Sequence, residues 1–217
     1  MADKPHAFRG DDIDIFWDGR LCIHVEECVR ARGDLFEAGR KPWAKPESAE
    51  SLEEVTSVCQ RCPTGALTYQ RKDGGPAETA PAVNTVVVSH DGPLYLSGDL
   101  KIDGAADNME GVAFRAALCR CGASSRKPFC DGSHEKAGFR DSGAVGNPDP
   151  GNSEQGGALA IDRAENGPLL VNGNFRIVTG HGRVAWSGTK AALCRCGQSS
   201  NKPFCDGTHR RAGFEAE

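Results

Sequence analysis

Cys119-Arg-Cys121-Gly-Ala-Ser124-Ser-Arg-Lys-Pro128-Phe-Cys130-Asp-Gly-Ser-His134 sets three cysteines and one histidine within sixteen residues. At an offset of 75 residues the stretch recurs as Cys194-Arg-Cys196-Gly-Gln-Ser199-Ser-Asn-Lys-Pro203-Phe-Cys205-Asp-Gly-Thr-His209. The repeat is longer than the motif. Gly92-Pro93-Leu94 matches Gly167-Pro168-Leu169, Gly98 matches Gly173, and Lys101-Ile102 matches Arg176-Ile177. From Ala116 to Arg140 against Ala191 to Glu215, 19 of 25 positions are identical, so a whole unit is duplicated. The units run over 86–140 and 161–215, each opening on β-favouring runs and closing with a helical turn stopped by Gly138 or Gly213. One such unit buries little surface, so the pair is expected to pack face to face.

The repeated residues are metal ligands by type and spacing. Cys119 and Cys121, at i and i+2, can reach one metal ion from an extended backbone. Cys130 and His134 straddle the start of a helical turn whose free N–H groups favour thiolate over thiol. Asp131 is placed to cap that turn, Gly132 lets the backbone pass close to the metal, and Pro128 and Pro203 stiffen the loop. By spacing alone, a tetrahedral zinc ion with Cys3His ligation fits as well as a cluster. A disulfide fits poorly, because three cysteines leave one over. Arg120, Arg195, Lys127 and Lys202 lie within these loops, as donors to sulfur, as a surface for an acidic partner, or as solvated charges.

Composition bounds the rest. The hydrophobic fraction is 38%, with 27 glycines and 6% aromatics in 217 residues, so apolar cores are small and need staples. Ten cysteines are the candidates. Residues 1–19 carry Asp11, Asp12, Asp14 and Asp18 and no apolar signal core, and no run is long enough to span a membrane. A reducing, cytoplasmic setting is therefore expected, where clustered cysteines read as metal ligands. The net charge of −4 gives no reason to expect nucleic acid. Its excess of acids lies within residues 1–80.

Residues 11–70 read as a separate unit. Ile13, Ile15 and Trp17 alternate as a strand, Ser48 or Ser51 caps a helix through Leu52, Val55 and Val58–Cys59, and Leu67–Tyr69 returns beside the first strand. Cys22-Ile-His24-Val-Glu-Glu-Cys28 and Cys62-Pro63-Thr-Gly65 supply further ligand candidates. Residues 71–85 and 141–160, rich in Gly and Pro, read as linkers. Four cysteines in residues 22–62 and three in each repeat account for all ten.

The string C-x-C-x2-(S/T)-x3-P-x-C-D-G-(S/T)-H resembles the signature of the CDGSH iron–sulfur family, the mitoNEET relatives, at every defined position of both copies. The resemblance implies one [2Fe–2S] cluster per motif. Cys119 and Cys121 then hold one iron and Cys130 and His134 the other, with Cys194, Cys196, Cys205 and His209 equivalent. Tandem motifs without an anchor resemble the soluble, monomeric branch. The pattern C-x-H-x3-C…P-W…C-P-(S/T)-G-A-L over residues 13–70 is similar to the divergent monocluster ferredoxin-like domain. It implies one [4Fe–4S] or [3Fe–4S] cluster on Cys22, Cys28 and Cys62, with Cys59, His24 or no residue as the fourth ligand.

Replacing a thiolate by neutral imidazole removes a negative charge from a cluster's surroundings and lifts its potential above that of an all-cysteine ferredoxin. Imidazole also titrates near physiological pH. The expectation is a small, loop-rich α+β protein, a ferredoxin-like unit followed by two β-rich units packed as an intrachain pseudo-dimer. It would carry single electrons between redox partner proteins, or sense redox state or donate clusters to apo-acceptors, without a membrane. No nucleotide-binding Gly-rich loop, H-E-x-x-H or Ser–His–Asp constellation points to an enzyme.

Overall fold

A computed structural model describes residues 4–31, 33–146, 148–149, 151 and 156–216. The first sheet is antiparallel, ordered β1 (His6–Phe8), β2 (Ile13–Trp17) and β3 (Leu67–Arg71). β2 pairs with β3 in the register Ile13↔Arg71 through Trp17↔Leu67, as the alternating pattern requires. Asp14 points away from the apolar face yet is buried, because Arg9 and Lys72 close over its carboxylate. Burial alone would raise its pKa; the hydrogen bonds from Lys72 and Arg9 outweigh that and hold it below the usual carboxylate range. β1 lies ahead of residue 11 and lengthens this unit.

Between β2 and β3 lies α1 (Leu52–Arg61). Ser51, not Ser48, is its cap, accepting from Glu54 N at 3.1 Å, while the Glu54 carboxylate accepts from Glu50 N at 2.7 Å. Val55, Val58 and Cys59 face inward against Ile13, Ile15 and Leu67.

The second sheet has seven strands: β4 (Thr85–Val88), β5 (Leu94–Ser97), β6 (Asp99–Ile102), β7 (Arg115–Leu118), β8 (Ala158–Arg163), β9 (Leu169–Thr179) and β10 (Val184–Leu193). Their order is β6-β8-β9-β4-β5-β7, with β10 also on β9. Two pairings are parallel, β4 with β9 (Val86↔Ile177) and β6 with β8 (Ile102↔Ile161). At the 75-residue offset, Val86 corresponds to Ile161 and Ile102 to Ile177. Each repeat therefore sends its third strand across to pair with the first strand of the other.

Gly98 and Gly173 stand where the chain crosses, at φ 154° and 126°. A Cβ there would lie 2.0 Å from Asn84 Oδ1 and 2.4 Å from Ala158 O respectively, so only glycine fits. Val86, Leu96, Leu159, Ile161, Leu169, Phe175 and Ile177 belong to one apolar core that both repeats share.

The architecture is mostly β. Its helices are few: α1, the four-residue α2 (Ser133–Lys136) and short 3-10 turns. Loops are plentiful, as the glycine content requires. The glycine-rich stretch after residue 140 is more ordered than a linker. Val145 is buried, Asp149 bridges β10 through Asp149 N to Ala185 O and Ser187 N to Asp149 O, and residues 158–163 are β8. Residues 147, 150 and 152–155 of the expected linker lie outside the described residues.

Asn84 ties the repeats together. It is fully buried, donates Nδ2 to Gly157 O and Asn174 O at 2.8 Å each, and accepts from Asp99 N at 3.0 Å. Replacing Asn84 by Leu leaves these three backbone groups without partners. The expected cost is about 2–4 kcal/mol, read as a lower urea midpoint at an unchanged m value.

Candidate metal centres

In the first repeat, β7 ends at Leu118, just before Cys119, and the chain returns through Pro128 to Cys130. Cys119 N donates to Pro128 O and Cys130 N to Ala117 O, both at 2.8 Å, which sets the two cysteines side by side. Ser124 holds the intervening loop from inside, giving its Oγ to Phe129 O at 2.6 Å and accepting from Arg126 N at 3.0 Å. Asp131 is not itself the N-cap residue of the following turn. Gly132, at φ 84°, occupies that position, and Asp131 instead accepts from Ser125 N and Oγ and from Ser133 N. Burial works against its charge, but these hydrogen bonds prevail and hold it well below the usual carboxylate range. The second repeat reproduces every element: Cys194 N to Pro203 O, Cys205 N to Ala192 O, Ser199 Oγ to Phe204 O, and Asp206 on Ser200 and Thr208.

The expected ligands come together as pairs. Cys119 Sγ lies 3.6 Å from Cys121 Sγ, and Cys130 Sγ lies 3.4 Å from His134 Nδ1. The second copy gives 3.8 Å for Cys194 and Cys196, and 3.3 Å for Cys205 and His209 Nδ1. Cys121, Cys130, Cys196 and Cys205 each accept one backbone N–H at 3.4 Å, from Ala123, Gly132, Gln198 and Gly207. The hydrogen bond between Cys119 and Cys121 pulls the first thiol down and pushes the second up. Burial pushes Cys130 up to about 11. Among the described residues no three His, Cys, Asp or Glu side chains stand close enough to share a single ion.

The loop arginines are neither donors to sulfur nor solvated charges. Arg120 and Arg195 are 1% and 0% exposed. Arg120 donates to Gly92 O, Ser89 O and Asp141, and Arg195 to Gly167 O, Ala164 O and Ala216 O. Each guanidinium also covers a ring, Phe139 at 5.0 Å and Phe214 at 5.4 Å. Lys127 and Lys202 turn back on their own loops, onto Ser124 O and Ser199 O. The two cluster loops also touch one another. A Cβ on Gly122 would meet Cys196 O at 2.7 Å, and one on Gly197 would meet Cys121 O at 2.6 Å.

In the N-terminal unit a cavity of about 360 Å³ is walled by Cys22, His24, Cys28 and Cys62, with Trp17 and Trp43 behind them. Cys62 is the residue on which α1 ends, and its Sγ lies 3.4 Å from Thr64 Oγ1. Burial, and then the neighbouring Cys62, raise the pKa of Cys28. Cys59 is absent from the wall; it sits fully buried in the apolar core, where burial pushes its thiol up to about 12.

Two arginines that spacing did not single out bind this unit to the first repeat. Arg115, on β7, gives Nε to Cys62 O at 2.8 Å and a terminal nitrogen to Leu67 O at 3.0 Å, and it is ion-paired with half-buried Glu78. Arg126, inside the first cysteine loop, donates to Gly19 O and Arg20 O at 3.1 and 3.0 Å. Gly65 and Gly111 meet backbone to backbone, with no room for a Cβ on either. Tyr95 is pushed up to about 12 by burial, with Cys130 and Cys62 both near enough to add to it. The one available signal was the repeat itself, since Arg115 and Arg126 correspond in sequence to Lys190 and Asn201 of the other copy.

Residues 91–135 and 166–210 match the family described as iron-binding zinc finger of CDGSH type, and residues 8–72 match the divergent 4Fe-4S mono-cluster family. The chain belongs to the CDGSH iron-binding family, with a divergent 4Fe-4S mono-cluster domain ahead of its two motifs. The chain is 38% identical over 66 residues to the uncharacterized protein YjdI of Escherichia coli K12, and equally to its counterpart in strain O157:H7. The match covers 86% of each relative and 30% of this chain. As a tandem CDGSH protein it is an iron–sulfur protein, and among the described residues no helix is long and apolar enough to cross a membrane.

Two outcomes follow for the N-terminal domain. Replacing Arg115 by Leu strands the Glu78 carboxylate and frees Cys62 O, at an expected cost of about 3–5 kcal/mol, with faster proteolysis in residues 71–85. With iron removed by chelation, iodoacetamide at pH 8 should label Cys22 and Cys28 but not Cys59, which reacts only after denaturation, as peptide mass spectrometry would show.

Proposed function

We propose that this protein is a one-electron carrier with three clusters. Two [2Fe–2S] clusters sit on Cys119, Cys121, Cys130 and His134 and on Cys194, Cys196, Cys205 and His209. One [4Fe–4S] or [3Fe–4S] cluster sits on Cys22, Cys28 and Cys62. The observation that carries the reading is the pairing of the ligands. A two-iron cluster takes two protein ligands per iron, and each CDGSH loop offers two pairs at 3.3–3.8 Å. The exchange of strands supports treating the two units as an intrachain pseudo-dimer, complete without a second chain. The ferredoxin-like domain is supported by the cavity walled by three cysteines.

Such clusters supply a reversible one-electron couple, and the protein sets where it operates. Backbone N–H groups donating to four of the six CDGSH sulfurs draw off negative charge, and imidazole in place of a fourth thiolate removes a full unit; both raise the potential. An added electron raises the basicity of the histidine. The potential therefore falls as pH rises through the window between its oxidised and reduced pKa values. The partners would be redox proteins, in a reducing compartment, and no substrate chemistry is assigned. A second reading, a redox sensor or a donor of clusters to apo-acceptors, is favoured by one feature: His134 and His209 are only half-buried, within reach of protons from solvent.

Purified protein should be red-brown, with about eight irons and as many sulfides per chain. Colourless protein containing zinc would overturn the proposal. His134→Cys or His209→Cys should lower the potential of that cluster and flatten its pH dependence in film voltammetry. Acid-accelerated transfer of iron to an apo-acceptor would select the second reading.

A further inference from the structure

The sequence leaves three choices for the fourth ligand of the N-terminal cluster. We infer that His24 is that ligand and that Cys59 is not, so that all three centres of the chain share one donor set, three cysteines and one histidine. The inference rests on the reading of the N-terminal cavity as a cluster site.

The helix decides against Cys59. Val55, Val58 and Cys59 form the inner face of α1 and are packed with Ile13, Ile15, Leu35 and Leu67. Cys28 and Cys62 pack against this same core, but Cys59 itself lies within it and is not among the residues of the cavity wall. Cys62 reaches the cavity because the helix ends there, with ψ swinging to 109°. Cys59 lies a turn earlier, still fixed by helical hydrogen bonding.

The loop decides for His24. Between Cys22 and Cys28, His24 and Glu26 both take left-handed backbone conformations, φ 57° and 68°, that side chains other than glycine rarely adopt. These two reversals curl the loop so that residues 22–29 wall one cavity with Cys62; of the donors there besides the cysteines, His24, Glu26 and Glu27, the imidazole is the softer ligand and suits an iron–sulfur centre better than a carboxylate. The three cysteines are half-buried and His24 is exposed, so the imidazole stands at the mouth. A four-iron cluster would take four protein donors; Cys22, Cys28 and Cys62 would supply three, and His24 would supply the fourth.

The test uses the full chain and oxidised-state electron paramagnetic resonance. Oxidised [2Fe–2S] and [4Fe–4S] centres are silent there, and an oxidised [3Fe–4S] centre is not, so the CDGSH units do not interfere. Cys59→Val, which keeps the bulk of an apolar core side chain, should retain wild-type iron and remain silent. His24→Ala should lose about one iron per chain and show the three-iron signal. His24→Cys should restore the iron, silence the signal and lower the potential of this cluster. A three-iron signal in Cys59→Val, or full iron and silence in His24→Ala, overturns the assignment, as does a three-iron signal in the wild type. Wild-type protein holding only the iron of its CDGSH units would instead sink the cluster reading of the N-terminal cavity, and the inference with it.

Discussion

The parallel pairing of β4 with β9 and of β6 with β8 is the constraint on which the rest depends. A unit of this size cannot bury an apolar face large enough to offset the ordering of its own chain. By trading a strand, each repeat supplies the wall the other lacks, and Val86, Ile161 and Ile177 become parts of a single core. Gly98 and Gly173 permit the crossing, and Asn84 satisfies the backbone groups it would otherwise leave bare. The ligand loops inherit their relation from this sheet. Once β7 and β10 are fixed, Cys121-Gly122 and Cys196-Gly197 lie against each other.

Much of the long signature is scaffolding. Ser124 and Ser199 hold the loop from inside, Asp131 and Asp206 tie its ends, and Arg120 and Arg195 anchor it to the start of the repeat. The four candidate ligands thus meet a frame assembled from hydrogen bonds rather than from a large core. This is how a chain with thin apolar packing can still place sulfur and nitrogen with definition.

The duplication and the strand–helix–strand order of the N-terminal domain were legible, since each is carried by local spacing. The alternation of Ile13, Ile15 and Trp17 and the cap at Ser51 are decided within a few residues. The exchange of strands was not legible, because Val86-Val87-Val88 reads as a strand whichever partner it takes. Nor was the burial of Arg120 and Arg195. A charge between two cysteines looks solvated until the carbonyls of Ser89 and Ala164, far off in sequence, are brought to it. Asp131 illustrates the limit of local rules: one carboxylate oxygen takes the first N–H of the helical turn, Ser133, as spacing suggests, while the other reaches back to Ser125 and closes the loop.

The repeats are equal in their ligands and unequal in their surroundings. Where the first has Gly111, Arg115 and Arg126 against the N-terminal domain, the second has Trp186, Lys190 and Asn201. Trp186 turns in on Phe175 and Phe204, and Leu170, the counterpart of half-buried Tyr95, is left 40% exposed. Two identical chains paired by symmetry would present the same end twice. This chain has a capped end and a bare one, so a visitor meets different ground depending on the side from which it arrives, and the molecule acquires a polarity that its chemistry alone lacks.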